Sequence, residues 1–591
     1  MHPIPIFYAC DDAFIKYLIV SLSSMIDNAS KEATYKVHVL HTAISPEMKE
    51  KVLQLQNERF EIAFVDVTEP LANFVEKLHT RDYYSKTTYY RLLIADMYPQ
   101  YDKAIYIDCD TIVLGDVAEL YAHDLGDYYV GACPEQAMAQ TDVYGTYVEK
   151  VLGIDRTRFF NAGMLLMNCR QFRCQKVLEQ FISLIGQYTF VVTQDEDYLN
   201  VICKDKVYWL SPAWNTEVYG TLPVPEEEMK IIHYIMVAKP WHFPDCRLKE
   251  YFWRYAEKTS VYDLILEELN TYTDEQRAAD MASGERLAAT AQAEILRDDT
   301  YFPSLCRAMG KDPDRVFITE RIARFEREGR FSEDVENDPP TRPLVPGEVD
   351  FTRRKFWSRC KAEFSLASAH RFVRRLLKNG QMVMDGIEGI EQFQNLNSGA
   401  IITCNHFNAF DSFAIHLAYD ASRHKKRKFY RVIREGNYTS FPGFYGELMR
   451  NCYTLPLSQN KKVMTEFVRA TNQILQDGHF VLVYPEGSMW WNYRKPKPLQ
   501  SGAFRFAAKN GVPVLPCFIT MRDTDTIGAD GFPIQAYTVH ICAPIYPDPA
   551  KSIADNITYL QQKNFALWQH IYETTYGIPL TYEVDEQFRK N

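Results

Sequence analysis

Residues 104–110 read Ala-Ile-Tyr-Ile-Asp-Cys-Asp, a short apolar run that ends directly in two carboxylates one residue apart. An apolar run of this length predicts a buried strand. Nearer the amino terminus, residues 4–9, 35–40 and 60–65 show the same pattern, and residues 14–25 carry apolar side chains at helical spacing. Strands that alternate with helices predict a mostly parallel sheet, whose ligand lies at the carboxyl ends of its strands.

A second alternating series begins in the carboxyl-terminal part of the chain. Residues 400–404 and 480–484 are predicted strands, and the apolar stripe between Val463 and Leu475 predicts an amphipathic helix. Phe331–Glu348 holds four prolines among acidic residues, which is typical of a linker. The stretch before this linker is rich in Ala, Glu and Arg, which favours helices.

The length of 591 residues exceeds what one hydrophobic core holds. We therefore predict an α/β protein in three parts. A first α/β domain spans residues 1–265, a helical spacer with its proline-rich acidic linker spans residues 266–350, and a second α/β domain spans residues 351–591.

The formal net charge of −11 is unevenly distributed along the chain. Residues 351–591 hold 30 Lys and Arg against 20 Asp and Glu, a net charge of +10, so the preceding part carries −21. A basic half predicts an anionic partner, either nucleic acid or an anionic lipid surface. Because no nucleic-acid motif or basic-aromatic platform is found, we predict that the chain binds no nucleic acid.

Cysteine usage and the amino terminus indicate the compartment. The 13 cysteines are scattered without a C-x-x-C pair, which indicates reduced thiols rather than disulfides or structural zinc. No stretch approaches the roughly 18 apolar residues of a membrane-spanning helix. Met1-His2-Pro3-Ile4 lacks the basic segment and apolar core of a secretory signal. We expect a cytoplasmic protein that can lie peripherally on the inner face of the plasma membrane.

Asp108 and Asp110 follow the strand at residues 104–107 and are the first candidate site. Two carboxylates at the carboxyl end of a strand suit a hard divalent cation, which prefers oxygen ligands and shares them with phosphates. By itself an Asp-x-Asp pair is also common in solvated turns, so the surrounding residues must decide between the two interpretations.

Five further motifs occur in a particular order around this pair. They are Tyr8-Ala9-Cys10-Asp11-Asp12, Thr87-Thr88-Tyr89-Tyr90-Arg91-Leu92, Phe160-Asn161-Ala162-Gly163, Gln194-Asp195-Glu196-Asp197, and His233-Tyr234 ahead of Ala238-Lys239-Pro240-Trp241-His242. From about Ile4 to about Trp253, this order resembles the family 8 retaining glycosyltransferases, which include bacterial lipopolysaccharide galactosyl- and glucosyltransferases. The resemblance implies a Rossmann-like, nucleotide-sugar-binding domain of the GT-A type.

The same resemblance implies roles for individual residues. It implies a Mn²⁺ (or Mg²⁺) site with three ligands: Asp108, Asp110 and His233. It implies contacts to a UDP-sugar donor from six residues: Ala9, Asp11, Arg91, Glu135, Asn161 and Lys239. It places two residues at the catalytic position, Asp195 and Glu196. Without the resemblance, Arg91 reads equally as a helix-surface salt bridge and Glu135 as a loop charge.

Three positions depart from the family pattern. Glu196 stands where close relatives carry glutamine, and a carboxylate there acts either as a covalent nucleophile or as a stabiliser of positive charge on the sugar. Met236 replaces a small residue near the phosphates, and Ala13 replaces a polar residue near the ribose. These departures leave the identity of the donor open.

His406 and Asp411 follow the predicted strand at residues 400–404 and form the second candidate site. An imidazole five residues ahead of a carboxylate can direct one nitrogen to solvent while the other donates to the acid. Such a pair fixes the histidine tautomer and strengthens the histidine as a general base.

Two later motifs complete this second pattern. Tyr484-Pro485-Glu486-Gly487-Ser488 follows the strand at residues 480–484, and Gly511-Val512-Pro513-Val514-Leu515-Pro516 comes next. From about Phe356 to about Ile578, the order resembles the glycerolipid acyltransferases of the 1-acylglycerol-3-phosphate acyltransferase family. The resemblance implies that His406, supported by Asp411, deprotonates an acceptor hydroxyl that attacks acyl-CoA or an acylated carrier protein. It implies three acceptor-binding residues: Glu486, Gly487 and Ser488.

This second pattern also has a departure. The family usually reads Glu-Gly-Thr-Arg, whereas this chain has Met489 at the position of the phosphate-pairing arginine. Four nearby basic residues are candidate replacements: Arg494, Lys495, Lys497 and Arg505. Otherwise, the acceptor differs from a simple lysophosphatidate.

The second half also contains features that suit a membrane surface. The basic run from Arg423 to Lys428, with Arg431 and Arg434, is either a solvated face or a contact for anionic headgroups or an acidic carrier protein. Trp490, Trp491 and Tyr493 are either an interfacial aromatic belt or part of the core.

These observations predict a bifunctional transferase. The first domain is predicted to transfer a hexose, glucose or galactose, from a UDP-sugar with retention, and the second to transfer a fatty acyl group to a hydroxyl of a lipid or glycan. Fusion of the two suggests work on one glycolipid or surface glycan. The alternative is that only one domain is catalytic and the other is a degenerate binding or membrane-docking module.

Overall fold

A computed structural model describes residues 3–72, 86–337, 341–424 and 426–584. The chain divides into two compact units, Met1–Met309 and Gly310–Asn591. Both units are α/β, as the alternating sequence pattern predicted.

The described residues of the first unit form ten strands. They are β1 Ile4–Ala9, β2 Tyr35–His41, β3 Phe60–Asp66, β4 Ala104–Ile107, β5 Thr111–Val113, β6 Val130–Ala132, β7 Met164–Met167, β8 Val207–Trp209, β9 Thr216–Glu217 and β10 Ile231–His233. Seven of these form one sheet in the order β3-β2-β1-β4-β7-β6-β8, in which only β7 runs antiparallel to its neighbours. A smaller sheet has the order β5-β10-β9.

Fourteen helices surround these sheets among the described residues of the first unit. They are α1 Ile15–Asn28, α2 Pro46–Leu53, α3 Thr68–Leu71, α4 Ile94–Met97, α5 Val117–Tyr121, α6 Gln136–Gln140, α7 Asp142–Tyr147, α8 Cys169–Cys174, α9 Val177–Ile185, α10 Asp195–Ile202, α11 Lys249–Ala256, α12 Tyr262–Thr271, α13 Asp274–Ile295 and α14 Tyr301–Ala308. A 3₁₀ helix, Lys86–Leu93, carries Arg91. The strands β1 and β4 are buried along their whole length, which explains why their sequences are uniformly apolar.

The residues predicted as a spacer do not form a unit of their own. Helices α12 to α14 belong to the first unit. Helix α13 begins with a capping box between Thr273 and Gln276 and buries Leu287 and Ala291 in the core that also contains β4 and β7. The rest of the predicted spacer, from Gly310 onward, belongs to the second unit.

In the second unit, the part of the chain that the structure describes forms one seven-stranded sheet. Its strands are β11 Val383–Glu388, β12 Ala400–Thr403, β13 Phe429–Arg434, β14 Thr454–Leu457, β15 Phe480–Val483, β16 Val514–Ile527 and β17 Pro533–Ile541. They lie in the order β11-β17-β16-β12-β15-β13-β14, and only the β16–β17 pair is antiparallel. The central strand β12 is fully buried and ends just before His406.

Nine helices belong to the described part of this unit. They are α15 Pro313–Arg327, α16 Phe356–Lys378, α17 Ile390–Gln394, α18 Asp411–Ser422, α19 Glu435–Thr439, α20 Gly443–Asn451, α21 Lys461–Gln476, α22 Gly502–Asn510 and α23 Ile553–Tyr576. The apolar stripe of α21 faces the core, as predicted. In the described ranges, no helix combines the length and apolarity needed to cross a lipid bilayer.

The predicted linker is only partly a linker. Ile318, Ile322 and Phe325 of α15 pack with Val335 and Trp490 in a small apolar cluster of the second unit. The acidic, proline-rich composition concealed this packing because the apolar residues of the cluster are widely spaced in sequence. Pro339 and Pro340 lie outside the described residues.

Candidate active sites

The first site lies where β4 ends. Asp108 follows β4 directly, and Asp110 precedes β5, whose antiparallel pairing with β10 places His233 opposite Thr111. One ligand atom from each of Asp108, Asp110 and His233 lies within 4.8 Å of the others. The structure therefore brings together the three residues predicted to hold a metal ion.

Two observations test whether this cluster fits a divalent cation. Its ligand atoms are carboxylate oxygen and imidazole nitrogen, which are donors that Mn²⁺ and Mg²⁺ sites use. A Cβ added to Gly163 would lie 2.3 Å from Cε1 of His233 and 2.7 Å from Oδ2 of Asp108. Only glycine therefore fits at this position beside the two ligand residues. The residues present fit a bound cation.

A chain of side-chain amides orients His233. Nδ1 of His233 lies 3.0 Å from Oδ1 of Asn215, and Nδ2 of Asn215 donates to Oδ1 of Asn161 at 2.9 Å. Asn161 in turn donates to Glu135. Because Nδ1 donates to an amide oxygen, Nε2 keeps its lone pair for a metal ion. Asn215 was not predicted, since it lies in a 3₁₀ turn without a motif.

Lys239 places a positive charge beside the candidate metal ligands Asp108, Asp110 and His233. Its Nζ lies 2.6 Å from Oδ2 of Asp110, and Nε2 of His233 lies 3.2 Å from Oδ1 of the same carboxylate. Burial acts to raise the pKa of Asp110, but Lys239 and His233 outweigh it and hold that pKa below its ordinary value. Asp110 therefore stays ionised in this site.

Arg91 is buried, which excludes the helix-surface salt bridge as its interpretation. Its Nε lies 3.1 Å from Oδ2 of Asp195, and its guanidinium lies over the ring of Tyr106 at 4.5 Å. It also donates to the carbonyl of Ala162. Burial raises the pKa of Asp195 to about 6 against the opposing effect of Arg91.

Glu135 and Glu196 line the same pocket, and Glu217 is buried beside Glu135. Glu196 accepts a hydrogen bond from the N–H of Ala162 at 2.7 Å, and Glu217 accepts one from the N–H of Gln136 at 2.7 Å. Burial and the neighbouring Glu135 carboxylate raise the pKa of Glu196 and of Glu217. Glu217 was missed at the sequence level because its two-residue strand β9 has no recognisable pattern.

The remaining predicted donor contacts divide between the pocket and its surroundings. Ala9 lines the pocket together with Arg91 and Met236. Asp11 accepts hydrogen bonds from the N–H groups of Ala13 and Phe14, both at 3.1 Å, and is half-exposed outside the pocket wall. Leu287 of α13 also lines this pocket, so the predicted spacer contributes to it.

The second site lies at the end of β12. Nδ1 of His406 lies 2.6 Å from Oδ2 of Asp411, which is the first residue of α18 and is buried. Oδ2 also accepts from the N–H of Phe407 at 3.1 Å, which fixes the carboxylate beside the imidazole. With its proton on Nδ1, His406 has Nε2 available as a base.

Tyr484 supports this pair and was predicted only as the end of a strand. Its hydroxyl donates to Oδ1 of Asp411 at 2.8 Å, and its ring stacks on the imidazole of His406 with 4.1 Å between centroids. One side chain thus contacts both members of the His–Asp pair. We interpret Tyr484 as a positioning residue for the base.

The change Tyr484→Phe removes the hydroxyl but keeps the stacked ring. We expect kcat of the predicted acyl transfer to fall about tenfold with KM almost unchanged, because the His–Asp pair loses a contact that fixes its orientation. The control is Tyr537→Phe, which removes a hydroxyl bonded to Asn408 rather than to Asp411. Equal kcat for Tyr484→Phe and wild type, or a change in KM alone, would contradict this role.

Glu486 and Ser488 are engaged in internal contacts. The two carboxylate oxygens of Glu486 accept from the N–H groups of His406 at 3.0 Å and Lys497 at 2.9 Å. Ser488 donates to the carbonyl of Phe331 at 3.0 Å and is buried. Gly487, between them, is exposed and has φ of +81°, which favours glycine. Glu486 thus links the His406 loop to the Lys497 loop.

The four candidate replacements for the missing arginine differ in their surroundings. Lys497 is buried, its Nζ donates to both the carbonyl and the Oγ of Ser488 at 2.8 Å, and burial lowers its pKa to about 8. Arg494 pairs with Asp523 at 2.7 Å, and Lys495 pairs with Glu326 at 2.5 Å. Arg505 lies exposed on α22.

Most of the aromatic and basic side chains considered as membrane contacts bind other residues of the second unit instead. Trp490 is fully buried and donates from Nε1 to the carbonyl of Glu333 at 2.8 Å, so it belongs to the core. Arg427 donates to two backbone carbonyls, and Lys428 pairs with Glu363 at 2.6 Å. Arg431 is buried against His416. Lys425 of the basic run lies outside the described residues.

Comparison with known proteins agrees with this geometry. Residues 5–244 match the family model "Glycosyl transferase family 8". A "Putative glycosyltransferase" of Haemophilus influenzae is 32% identical over 246 residues, which cover 40% of this chain and 72% of that protein. The chain belongs to glycosyl transferase family 8. The family 8 domain is therefore the part of the chain that holds Asp108, Asp110 and His233.

Beyond the family 8 domain, residues 385–520 match the family model "Acyltransferase", and they include His406, Asp411 and Glu486. The second unit thus carries an acyltransferase domain. Two solved structures are also similar. Galactosyltransferase LgtC, in complex with donor and acceptor sugar analogs, is 24% identical with a TM-score of 0.37, covering 46% of this chain and 99% of that chain. The 1-acyl-sn-glycerophosphate acyltransferase PlsC of Thermotoga maritima is 20% identical with a TM-score of 0.25, covering 34% and 75%.

Proposed function

We propose that the family 8 domain transfers a hexose, glucose or galactose, from a UDP-sugar with retention and in the presence of Mn²⁺. The acyltransferase domain moves a fatty acyl group from acyl-CoA or an acylated carrier protein to a hydroxyl of a lipid or glycan. The observation that carries this proposal is that each unit holds a complete polar cluster where a central strand ends. Asp108, Asp110 and His233 form one cluster, and His406 and Asp411 form the other.

In the family 8 domain, the residues bind the donor and balance its charge. Asp108, Asp110 and His233 are the residues that would hold Mn²⁺, which when bound supplies Lewis acidity and positive charge for the diphosphate. Lys239 adds a fixed positive charge beside Asp110, available to the departing diphosphate. Ala9 and Asp11 are proposed to contact the nucleoside, Arg91 to contact the phosphates or the sugar, and Glu135 and Asn161 to contact the sugar.

Glu196 is proposed to act without forming a covalent bond. Its carboxyl already accepts from the N–H of Ala162, and burial beside Glu135 raises its pKa, which shifts the carboxyl toward the protonated form. A protonated carboxyl is a poor nucleophile, but it can still hydrogen-bond to a sugar hydroxyl. Asp195, fixed by Arg91, supplies the neighbouring negative charge.

The change Glu196→Gln tests this assignment because glutamine has the shape of a neutral glutamate. We expect the variant to keep kcat of hexose transfer within about tenfold of wild type, since it still accepts from Ala162. Mass spectrometry of wild type mixed with a UDP-hexose is expected to show no hexosylated protein. A loss of about 10³-fold or more, or a hexosylated Glu196, would mean that the carboxylate is the nucleophile.

In the acyltransferase domain, Nε2 of His406 removes the proton of the acceptor hydroxyl. The hydroxyl oxygen then attacks the thioester carbonyl, so that a C–O bond forms and the C–S bond breaks. The proton passes from the imidazolium to the departing thiolate, which leaves as the free thiol. Asp411 stabilises the imidazolium through its 2.6 Å contact with Nδ1.

Occurrence of both domains in one chain suggests that one glycolipid or surface glycan receives both groups. Incubation of the protein with ¹⁴C-labelled UDP-glucose or UDP-galactose, Mn²⁺, an acyl donor and a bacterial lipid extract tests this. Label is expected in the organic phase with wild type and not with His406→Ala. Organic-phase label that does not depend on His406 would separate the two activities.

A further inference from the structure

Met236 has a backbone conformation that suits glycine better than methionine. Its φ is +58°, in the left-handed region that residues with a Cβ rarely adopt. Met236 lies in the loop after β10, three residues after His233 and three before Lys239. Strained backbone of this kind is concentrated at functional sites, where it places a particular side chain. The conformation therefore indicates a function for the thioether side chain.

The side chain of Met236 forms part of an apolar wall in the pocket of the family 8 domain. Met138, Tyr144 and Leu287 line the same pocket and are buried. Met236 is half-buried and packs against the hydrophobic core that contains these three residues. We define Met138, Tyr144, Met236 and Leu287 as the apolar wall. Its members come from α6, α7, α13 and the loop after β10, so tertiary packing rather than a local motif assembles it.

Helix α13 supplies a part of this wall that the family model does not include. Residues 5–244 match the model, whereas Leu287 lies on α13, after the matched residues. The hydroxyl of Tyr144 donates to the carbonyl of Gly284 at 3.3 Å, which holds α7 against α13. Gly284 and Leu287 are three residues apart and therefore lie on the same face of the helix. The wall is thus a feature of this chain rather than of the matched residues alone.

The apolar wall begins next to a residue proposed to contact the donor sugar. Glu135 is the N-cap of α6, where its carboxyl accepts from the N–H of Ala137 at 3.3 Å, and Met138 follows three residues later. Elsewhere in the pocket, the candidate metal ligands and Lys239 surround the place proposed for the diphosphate. The wall therefore borders the sugar end of the proposed donor site.

Retention requires the acceptor to lie on the side of the sugar from which the diphosphate departs. In the transfer, the bond between the anomeric carbon and the diphosphate oxygen breaks, a bond from that carbon to the acceptor oxygen forms, and the hydroxyl proton leaves with the UDP. Met236 lies on the chain between His233, a candidate metal ligand, and Lys239, whose charge is available to that diphosphate. Its side chain is therefore beside the proposed path of the acceptor.

We propose that the apolar wall binds the hexose acceptor, and that this acceptor is an alcohol with alkyl chains next to its hydroxyl group. Methionine and leucine side chains donate no hydrogen bonds, whereas an alkyl chain gains free energy when it leaves water against them. A glycan acceptor would bring hydroxyl groups against this wall without partners. The inference rests on the proposed hexose transfer and narrows its acceptor from a lipid or glycan to a lipid alcohol.

Two acceptors that offer the same hydroxyl group test this inference. 1,2-Dioctanoylglycerol and 1,2-diacetylglycerol differ only in the length of their acyl chains, and methyl β-D-glucoside represents a glycan. Each is assayed with UDP-glucose and with UDP-galactose in the presence of Mn²⁺ and without an acyl donor. For wild type, KM for dioctanoylglycerol is expected to be about tenfold or more below KM for diacetylglycerol, because only the longer chains reach the wall.

The change Met236→Gln places an amide at nearly the same length as the thioether. We expect KM for dioctanoylglycerol to rise about tenfold and KM for UDP-hexose to change less than about twofold. Met236→Leu restores an apolar side chain and is expected to recover most of the preference for the longer chains. The matched control is Met281→Gln, the same change at a methionine of α13 that is 58% exposed, and it is expected to behave like wild type.

A binding measurement separates this inference from the proposed hexose transfer. The full chain is titrated calorimetrically with dioctanoylglycerol or diacetylglycerol in the presence of UDP and Mn²⁺. Wild type is expected to bind the longer diacylglycerol about tenfold more tightly, and Met236→Gln is expected to lose that preference. If wild type transfers no hexose but keeps this preference, the proposed function fails and the assignment of the wall stands.

Three outcomes would overturn the inference. The first is equal KM and equal affinity of wild type for the two diacylglycerols, or a lower KM for methyl β-D-glucoside than for dioctanoylglycerol. The second is the same KM for dioctanoylglycerol in Met236→Gln and Met281→Gln. The third is a rise in KM for UDP-hexose alone in Met236→Gln, which would assign the wall to the donor. Because Met236 is half-buried, Met236→Gln is expected to melt close to wild type, and the melting temperature checks this.

Discussion

We expect His406→Ala to lower the rate of acyl transfer about 10³-fold or more, because it removes the only group positioned as base in the proposed reaction. The acceptor hydroxyl then keeps its proton, and attack on the thioester loses its driving force. Acyl transfer is measured as thiol release from acyl-CoA with a thiol reagent. Hexose transfer by the same preparation is expected to stay within about twofold of wild type.

A matched variant separates the role of His406 as base from the role of its carboxylate partner, Asp411. Asp411→Asn keeps the shape of the pair but leaves the imidazole without a carboxylate. We expect its loss to be smaller than that of His406→Ala but still about 10²-fold. His540→Ala serves as the control, since His540 pairs with Glu388 at 2.8 Å in the same unit and has no proposed part in catalysis. Retention of full acyl transfer by His406→Ala would contradict the assignment of the base.

The second large effect is expected at Asp110. The change Asp110→Asn removes a charge that His233 and Lys239 contact at 3.2 and 2.6 Å. We expect kcat/KM for UDP-hexose turnover to fall about 10³-fold, because the cluster loses a carboxylate ligand and Lys239 loses its partner. A chelator is expected to abolish turnover of wild type, and added Mn²⁺ is expected to restore it.

Turnover of UDP-hexose is measured as released UDP, and cation binding as the rise in melting temperature on addition of Mn²⁺. The control variant Asp102→Asn changes an aspartate of the same unit whose side chain is 79% exposed. Acyl transfer by Asp110→Asn is expected to be unaffected. Unchanged turnover, or a Mn²⁺-dependent rise in melting temperature equal to that of wild type, would contradict the metal assignment.

Six of the strands were predicted from the sequence to within about one residue of their bounds. Ile4–Ala9 and Ala104–Ile107 have the predicted bounds, since an unbroken apolar run buried on both faces has few alternatives. A run of apolar residues is therefore sufficient to predict the bounds of a strand that is buried along its whole length.

The partners that complete each site could not be predicted in the same way. Asn215 contacts His233, and Glu217 is buried beside Glu135, yet both come from short elements without periodicity. Their positions depend on the pairing of β9 with β10. These strands are distant enough in sequence that no local pattern predicts their pairing. Tyr484 was similarly visible only as a strand end, although it contacts both His406 and Asp411.

Composition could not decide where the same residues suit two environments. Trp490 and Tyr493 lie beside basic residues, which left a membrane belt and the core equally open; in the structure Trp490 belongs to the core and Tyr493 donates to Glu326 at 2.9 Å. The deciding partners lie in α15 and the segment after it, which the sequence suggested were a spacer and linker. The exposed aromatic residues of α16 lack such partners in the described chain and remain at the surface.

The most direct test of two independent sites in one chain is a mixing experiment with single-site variants. Asp110→Asn and His406→Ala are assayed separately and as an equimolar mixture for UDP release and thiol release. Each variant is expected to lack one activity, and the mixture to show about half the wild-type level of both at the same total protein concentration. Loss of both activities in either variant, or a wild type that shows only one, would contradict the account.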